Sequence, residues 1–104
     1  MEREFEIKNI KGTFRVNIKN GIDALAMRVY IIKIDEGKIE EAYEKILEHI
    51  DYNIDKDSWV KVKDGKTFYP AGIENNPIAL QELINYFCNY LYEFFTGSNE
   101  SQTN

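Results

Sequence analysis

The chain has 104 residues, 43% of them hydrophobic, and a formal net charge of −5. A chain of this length builds one modest core, so two domains or a deeply enclosed active site are not expected. Acidic residues outnumber basic ones by 18 to 13, which argues against nucleic-acid binding because that function needs a concentrated positive surface. No signal peptide or membrane span is visible, and the single cysteine excludes an internal disulfide. We therefore expect a cytoplasmic protein without membrane contact.

The first twenty residues predict a β-hairpin. Phe5 and Ile7 alternate with charged residues before a turn at 9–12, and apolar and polar residues alternate again over 14–19. Alternation with a period of two gives the hairpin one apolar and one polar face. Because a two-stranded hairpin is marginal alone in water, its apolar face must lie on other elements.

The segment from Ile22 to Ile34 is apolar nearly all round, with Arg28 as its central charge. A run of this kind fits a buried helix or a buried strand. Residues 23–27 favour a helix by propensity, whereas residues 29–32 favour a strand. We predict a buried helix here, and a buried strand is the alternative.

The next segment predicts an amphipathic surface helix of about three turns. At 100° per residue its apolar side chains form one stripe, and glutamates fill the opposite side. The stripe consists of Ile39, Ala42, Tyr43, Ile46, Leu47 and Ile50.

Two more elements are predicted in the second half of the chain. Asp64-Gly65 separates two β-prone runs within residues 59–69, which indicates a second hairpin. Asn76 and Pro77 suit the N-cap and the first turn of a helix, so the last helix is predicted from about Ile78 to Phe95.

This order of elements predicts a single α+β domain over residues 1–97. In the predicted fold, two antiparallel β-hairpins form a small sheet, and two to three helices pack on one face of it. The polar residues 98–104 are expected to form a disordered tail.

Few residues could carry chemistry. His49 could act as a general base, but the sequence places no nucleophile beside it. Cys88 lies on the apolar arc of the last helix, where a free cysteine behaves as a small hydrophobe. Asp51, Asp55 and Asp57 are spaced like calcium ligands, but lysine stands where a calcium loop needs glycine, so we predict a solvated acidic loop at these residues. We therefore predict no catalytic residue, no metal and no cofactor, and an enzyme that uses these residues is the least favoured hypothesis.

Aromatic side chains crowd into the last helix: Tyr86, Phe87, Tyr90, Tyr92, Phe94 and Phe95. On a helical wheel, Tyr86 and Tyr92 flank the apolar arc on opposite sides, at about 120° from its centre, so one neighbouring layer is too narrow to cover the whole set. Tyrosine is enriched at interfaces because it combines a large contact area with a polar tip. We predict that these six residues form a partner-binding or self-association surface, and a role in the core alone is the alternative.

The layout of the chain resembles that of the tail assembly chaperones of long-tailed bacteriophages. An acidic protein of this size opens with a β-hairpin, continues through helices and reaches Trp59-Val60-Lys61-Val62 and Phe68-Tyr69-Pro70. It then closes with a helix that begins at Asn76-Pro77-Ile78-Ala79-Leu80 and a short polar tail. The resemblance covers the general layout of most of the chain.

The resemblance implies a non-enzymatic role in the cytoplasm of an infected host cell. Proteins of this family coat the tape measure protein and recruit tail tube subunits, and many also exist in a longer, frameshifted form. An alternative hypothesis is a small acidic inhibitor or adaptor that binds a basic site on a host protein. Its binding would weaken steeply with salt, because charge attraction is screened within about 10 Å at 0.1 M.

Overall fold

The computed structural model describes residues 4–54 and 58–96. Within these ranges the α+β class is confirmed, with a four-stranded antiparallel sheet in the order β1-β2-β3-β4, a separate β5-β6 ribbon and three α-helices. The elements are β1 (Glu4–Phe5), β2 (Thr13–Val16), α1 (Gly21–Asp35), α2 (Ile39–Leu47), β3 (Ile50–Asn53), β4 (Val60–Lys61), β5 (Lys63–Asp64), β6 (Thr67–Phe68), a 3-10 turn (Ile73–Asn75) and α3 (Pro77–Thr96).

The apolar face of the large sheet is a row of cross-strand neighbours. Phe5 lies opposite Phe14, and Phe14 lies opposite Tyr52. Tyr52 is followed in the row by Val60 on β4. Because the row faces the helices, Phe14 is fully buried in the core. The predicted first hairpin is confirmed as β1 and β2, and its apolar residues lie on the predicted face.

The opposite face of the same sheet carries a row of alternating charge: Glu4, Arg15, Asp51 and Lys61. Nε of Arg15 lies 3.2 Å from Oδ2 of Asp51. The Asn17 amide donates a hydrogen bond to the same oxygen at 3.2 Å. The Trp59 ring covers the guanidinium of Arg15, which lies 4.0 Å from the ring centroid. These contacts satisfy the buried carboxylate of Asp51.

The third strand was not predicted. Asp51 is expected from the sequence to begin a solvated acidic loop, but residues 50–53 form a strand that is buried along its whole length. The reason is that β3 pairs with β2 on one side and β4 on the other. The loop prediction is therefore wrong for Asp51, while Asp55 and Asp57 lie outside the described residues.

The second hairpin is confirmed, but it does not join the first hairpin in one sheet. Lys63 pairs with Phe68 and Asp64 with Thr67, so the turn consists of Gly65 and Lys66, one residue later than the predicted Asp64-Gly65. Gly65 has φ 64, a left-handed conformation that glycine adopts without steric cost. The residues before this ribbon form β4 and extend the large sheet.

Residues 22–34 are helical and belong to α1, as predicted. The predicted burial of this segment is wrong. Only one side of α1 faces the core, where Ala24 and Met27 are buried. α2 ends at Leu47 rather than at Ile50, because Ile50 belongs to β3. α3 begins as predicted, since the Asn76 side-chain oxygen accepts the Ala79 backbone N–H at 3.1 Å.

Among the described residues, none of the helices has the length and apolar character needed to cross a membrane. The polar tail predicted for residues 98–104 lies outside the described residues.

Candidate protein-binding surface

The last helix, α3, packs against α1, α2 and β2 and so supplies one side of the core. Of the six aromatic residues predicted to bind a partner, Phe87 is fully buried and Tyr90 is nearly so. Both rings lie with Leu83 and Leu91 in the hydrophobic core. These two positions therefore hold the fold together, which is the role that the sequence offered as the alternative.

Tyr86 lies at the edge of the large sheet. Its ring stacks on Phe5 of β1, with the centroids 4.0 Å apart and the ring planes 9° from parallel. The stack covers one face of each ring, and Tyr86 is still exposed on its other side. Tyr86 therefore does not share a surface with Tyr92, which lies on the opposite flank of α3.

The remaining three residues, Tyr92, Phe94 and Phe95, form what we call the C-terminal aromatic surface. Tyr92 is 68% exposed, and Phe94 and Phe95 are 39% and 42% exposed. The Phe94 and Phe95 rings meet edge to face with centroids 6.5 Å apart, and Phe94 also contacts the buried Tyr90 ring at 6.4 Å. The exposed rings are thus held by the core and by one another.

A groove of about 690 Å³ runs between α1 and the end of α3 beside this surface. Ile31 and Leu91 form apolar walls, and Tyr92 and Phe95 line its outer part. The guanidinium of Arg28 lies 5.2 Å from the centroid of the Phe95 ring, within the range of a cation–π contact. The groove can accept an apolar or aromatic side chain, and Arg28 can donate hydrogen bonds to an acceptor beside it.

Cys88 also lines the groove, but its environment disfavours the thiolate. Burial of the side chain, and to a lesser degree the negative charge of Asp35, raise the pKa of the Cys88 thiol. A reactive cysteine needs the opposite, a positive neighbourhood that lowers its pKa. Cys88 therefore acts as a small apolar side chain in the groove wall.

His49 links two elements of the fold. Its Nδ1 lies 2.9 Å from the carbonyl oxygen of Lys45, and because a carbonyl can only accept, Nδ1 carries the proton. Its Nε2 lies 3.8 Å from a carboxylate oxygen of Asp23 at the start of α1.

In the part of the chain that the structure describes, His, Cys, Asp and Glu side chains do not gather in a group of three or more that could hold a metal ion.

A second apolar surface, on α1, was missed by the sequence reasoning. It consists of four side chains between 49% and 79% exposed, which we call the α1 stripe: Ile22, Leu25, Val29 and Ile32. Their spacing of three, four and three residues places them on one side of the helix, opposite Ala24 and Met27. Because the segment is apolar on every side, the four residues of this stripe do not stand out from their apolar neighbours in the sequence. The heptad-like interval is the signal that could have revealed it.

The two exposed surfaces lie on α1 and α3 and offer mainly apolar contact. Arg28 lies between them, since it precedes Val29 of the stripe and contacts Phe95. Comparisons of the chain with protein-family models, curated proteins and solved structures give no match.

Proposed function

We propose that this chain is a non-enzymatic protein-binding module that holds an apolar segment of its partner at the C-terminal aromatic surface. The observation that carries the proposal is the exposure of Tyr92, Phe94 and Phe95 beside an open apolar groove. Single exposed apolar residues are normal in proteins, but a contiguous group of them marks an interaction site.

The packing of these rings favours tight binding of a partner, even one that covers only a small area of the aromatic surface. Phe94 and Phe95 pack on each other, and Phe94 also packs on Tyr90, so little side-chain entropy is lost when a partner covers them. Buried aromatic side chains are the residues that most often dominate the binding energy of an interface. Full burial of an exposed aromatic side chain contributes about 1.5–3 kcal/mol of transfer free energy, and Phe94 and Phe95 contribute less than this because both are already more than half buried.

The partner that we propose is a phage tape measure protein, with tail tube subunits recruited to the complex. This part of the proposal draws on the resemblance to tail assembly chaperones, which act by covering apolar surface during assembly. The exposed rings and the groove are what such an activity requires. The chain's charge of −5 keeps it soluble while these rings are uncovered.

The test is a binding measurement between the full chain and the tape measure protein encoded in the same genome, by co-purification and calorimetry. Replacing Tyr92 and Phe95 together by serine removes two exposed rings, and we expect binding to weaken by about tenfold to several hundredfold. The matched control is Ile78→Ser, because Ile78 is also exposed on α3 but at its first turn. Equal binding by the double variant and the control would contradict the proposal.

The same measurement at two salt concentrations separates the proposal from an acidic inhibitor or adaptor. Between about 0.1 M and about 1 M salt, the screening length falls from about 10 Å to about 3 Å. Apolar contact at the aromatic surface should persist over this range. A steep loss of affinity would instead favour binding to a basic site.

A further inference from the structure

Among the described residues that line the groove beside the C-terminal aromatic surface, Arg28 alone carries a charge. Its guanidinium lies 5.2 Å from the centroid of the Phe95 ring, so a partner that covers Phe95 also covers Arg28. Within residues 4–54 and 58–96, no carboxylate forms an ion pair with Arg28. The five N–H donors of the guanidinium are therefore available to a partner.

A partner that presents only apolar atoms to this groove is a poor match for Arg28. The Arg28 side chain is exposed in the free chain, and removing water from a charged group without supplying a partner for it is unfavourable. A carboxylate avoids this penalty, because it accepts two parallel hydrogen bonds from a guanidinium. The best match is therefore an acidic side chain that accompanies apolar ones.

The charges along α1 determine at which end of the groove this carboxylate lies. Asp35 follows Arg28 by seven residues, or about 10.5 Å along the helix, and its negative charge acts on Cys88. Because Arg28 contacts Phe95 and Asp35 acts on Cys88, α1 and α3 run antiparallel beside the groove. A carboxylate is attracted to the Arg28 end of the groove and repelled from the Asp35 end.

We propose that the groove binds a partner segment in which an aspartate or glutamate accompanies apolar side chains, with its carboxylate held by Arg28. This inference rests on the proposed function and specifies the chemistry of the partner at the same surface. The apolar side chains of the segment pack between Ile31 and Leu91, and the carboxylate lies at the Phe95 end. A single ion pair that the partner shields from water is screened little by salt, so it does not make binding strongly salt-dependent.

The test compares two peptides that differ in one charge, acetyl-Leu-Phe-Asp-amide and acetyl-Leu-Phe-Asn-amide. Both ends of each peptide are capped, so the aspartate side chain is the only carboxylate. Each peptide is titrated into the isotope-labelled full chain at millimolar concentrations, and the NMR shifts of Ile31, Tyr92 and Phe95 give its dissociation constant. We expect the aspartate peptide to bind about threefold to tenfold more tightly, because it adds one charge-assisted contact at a part-exposed site.

Two variants of equal charge change assign the preference to Arg28. Arg28→Gln should remove the preference while the affinity of the asparagine peptide stays within about twofold of wild type. The matched control is Lys33→Gln, which removes a cation of the same helix that is already paired with Glu41. The control should keep the preference for the aspartate peptide.

The possible failures of this inference differ from those of the proposed function. Equal binding of both peptides to the wild type, with shifts at Tyr92 and Phe95, would overturn the inference and leave the apolar surface as a binding site. A preference that survives Arg28→Gln would also overturn it, because another group would then bind the carboxylate. Absence of shifts at Tyr92 and Phe95 with either peptide would contradict both proposals.

Discussion

At the scale of single residues, the buried carboxylate of Asp51 shows how the polar face of the sheet is stabilised. It accepts hydrogen bonds from Arg15 and Asn17, and Trp59 shields the guanidinium from water. In the row Glu4, Arg15, Asp51 and Lys61, each side chain lies across from a side chain of opposite charge on the next strand. Sheet pairing and charge pairing therefore specify the same register.

We predict that Asp51→Ala lowers the free energy of unfolding by about 1–3 kcal/mol, because it leaves the part-buried Arg15 without this carboxylate. The control is Lys61→Ala, at the exposed end of the same row, which should cost less than about 0.5 kcal/mol. Urea denaturation of the two variants measures the difference. Similar midpoints for both would show that the ion pair adds nothing to stability.

Cys88 provides a prediction about pH. Because burial and Asp35 raise the pKa of its thiol above the ordinary 9.0, the folded chain holds the proton more tightly than the unfolded chain does. Its contribution to stability is therefore complete below pH 9 and is lost as the pH rises from there through the folded-state pKa. The pH midpoint of alkylation should be higher for the folded chain than for the urea-unfolded chain, and Asp35→Asn should lower it. Identical midpoints in both states would contradict the prediction.

At the scale of elements, the start of α3 was predicted from the sequence because a single residue determines it, whereas the similar cap of α1 was not predicted. The Asn76 cap acts through one hydrogen bond to Ala79, and Asn20 caps α1 through a bond of 2.9 Å to the Asp23 backbone N–H. Both interactions are local, so no knowledge of the tertiary fold is needed to expect them.

We predict that Asn76→Ala destabilises the fold by about 1 kcal/mol, since it leaves an N–H of the first turn of α3 without its acceptor. Asn85→Ala is the matched control, because Asn85 lies on the exposed side of the same helix and accepts a surface hydrogen bond from Gln81. Thermal unfolding followed by circular dichroism compares the two. A control variant that loses as much stability as Asn76→Ala would show that the cap has no special role.

The strands show where sequence reasoning reaches its limit. β3 is a short strand between two partners, and its sequence, Ile50–Asn53, alternates apolar and polar residues over only four positions. Asp51 and Asn53 are typical of loops, and they are buried only because Arg15 and other neighbours come from distant parts of the chain. Long-range pairing of this kind leaves no local signal in the sequence.

At the scale of the whole molecule, the two sides of the fold differ in character. The outer face of the sheet is charged and internally paired, whereas the helical side exposes the α1 stripe and the C-terminal aromatic surface. Crowding of aromatic residues in α3 predicted that apolar surface would be exposed at this helix, but not which rings. Phe87 and Tyr90 lie in the core on the side of α3 that packs against α1, α2 and β2, and Tyr92 lies on another side of the helix.

The two sides also lead to different expectations for a partner. A partner that binds by apolar contact must dock on the helical side, and a partner with a basic site would instead favour acidic surface. Chemical-shift mapping by NMR distinguishes these cases residue by residue. It also separates direct contact from loss of stability, which a variant alone does not.

The most direct test is therefore NMR mapping of the isotope-labelled full chain as the proposed partner, the tape measure protein, is added. We expect the largest shifts at Tyr92, Phe94 and Phe95 and at the neighbouring groove residue Ile31, with little change along the charged row of the sheet. Shifts concentrated at Glu4 and Asp51 on the sheet, or no shifts at the aromatic surface, would contradict its role in binding.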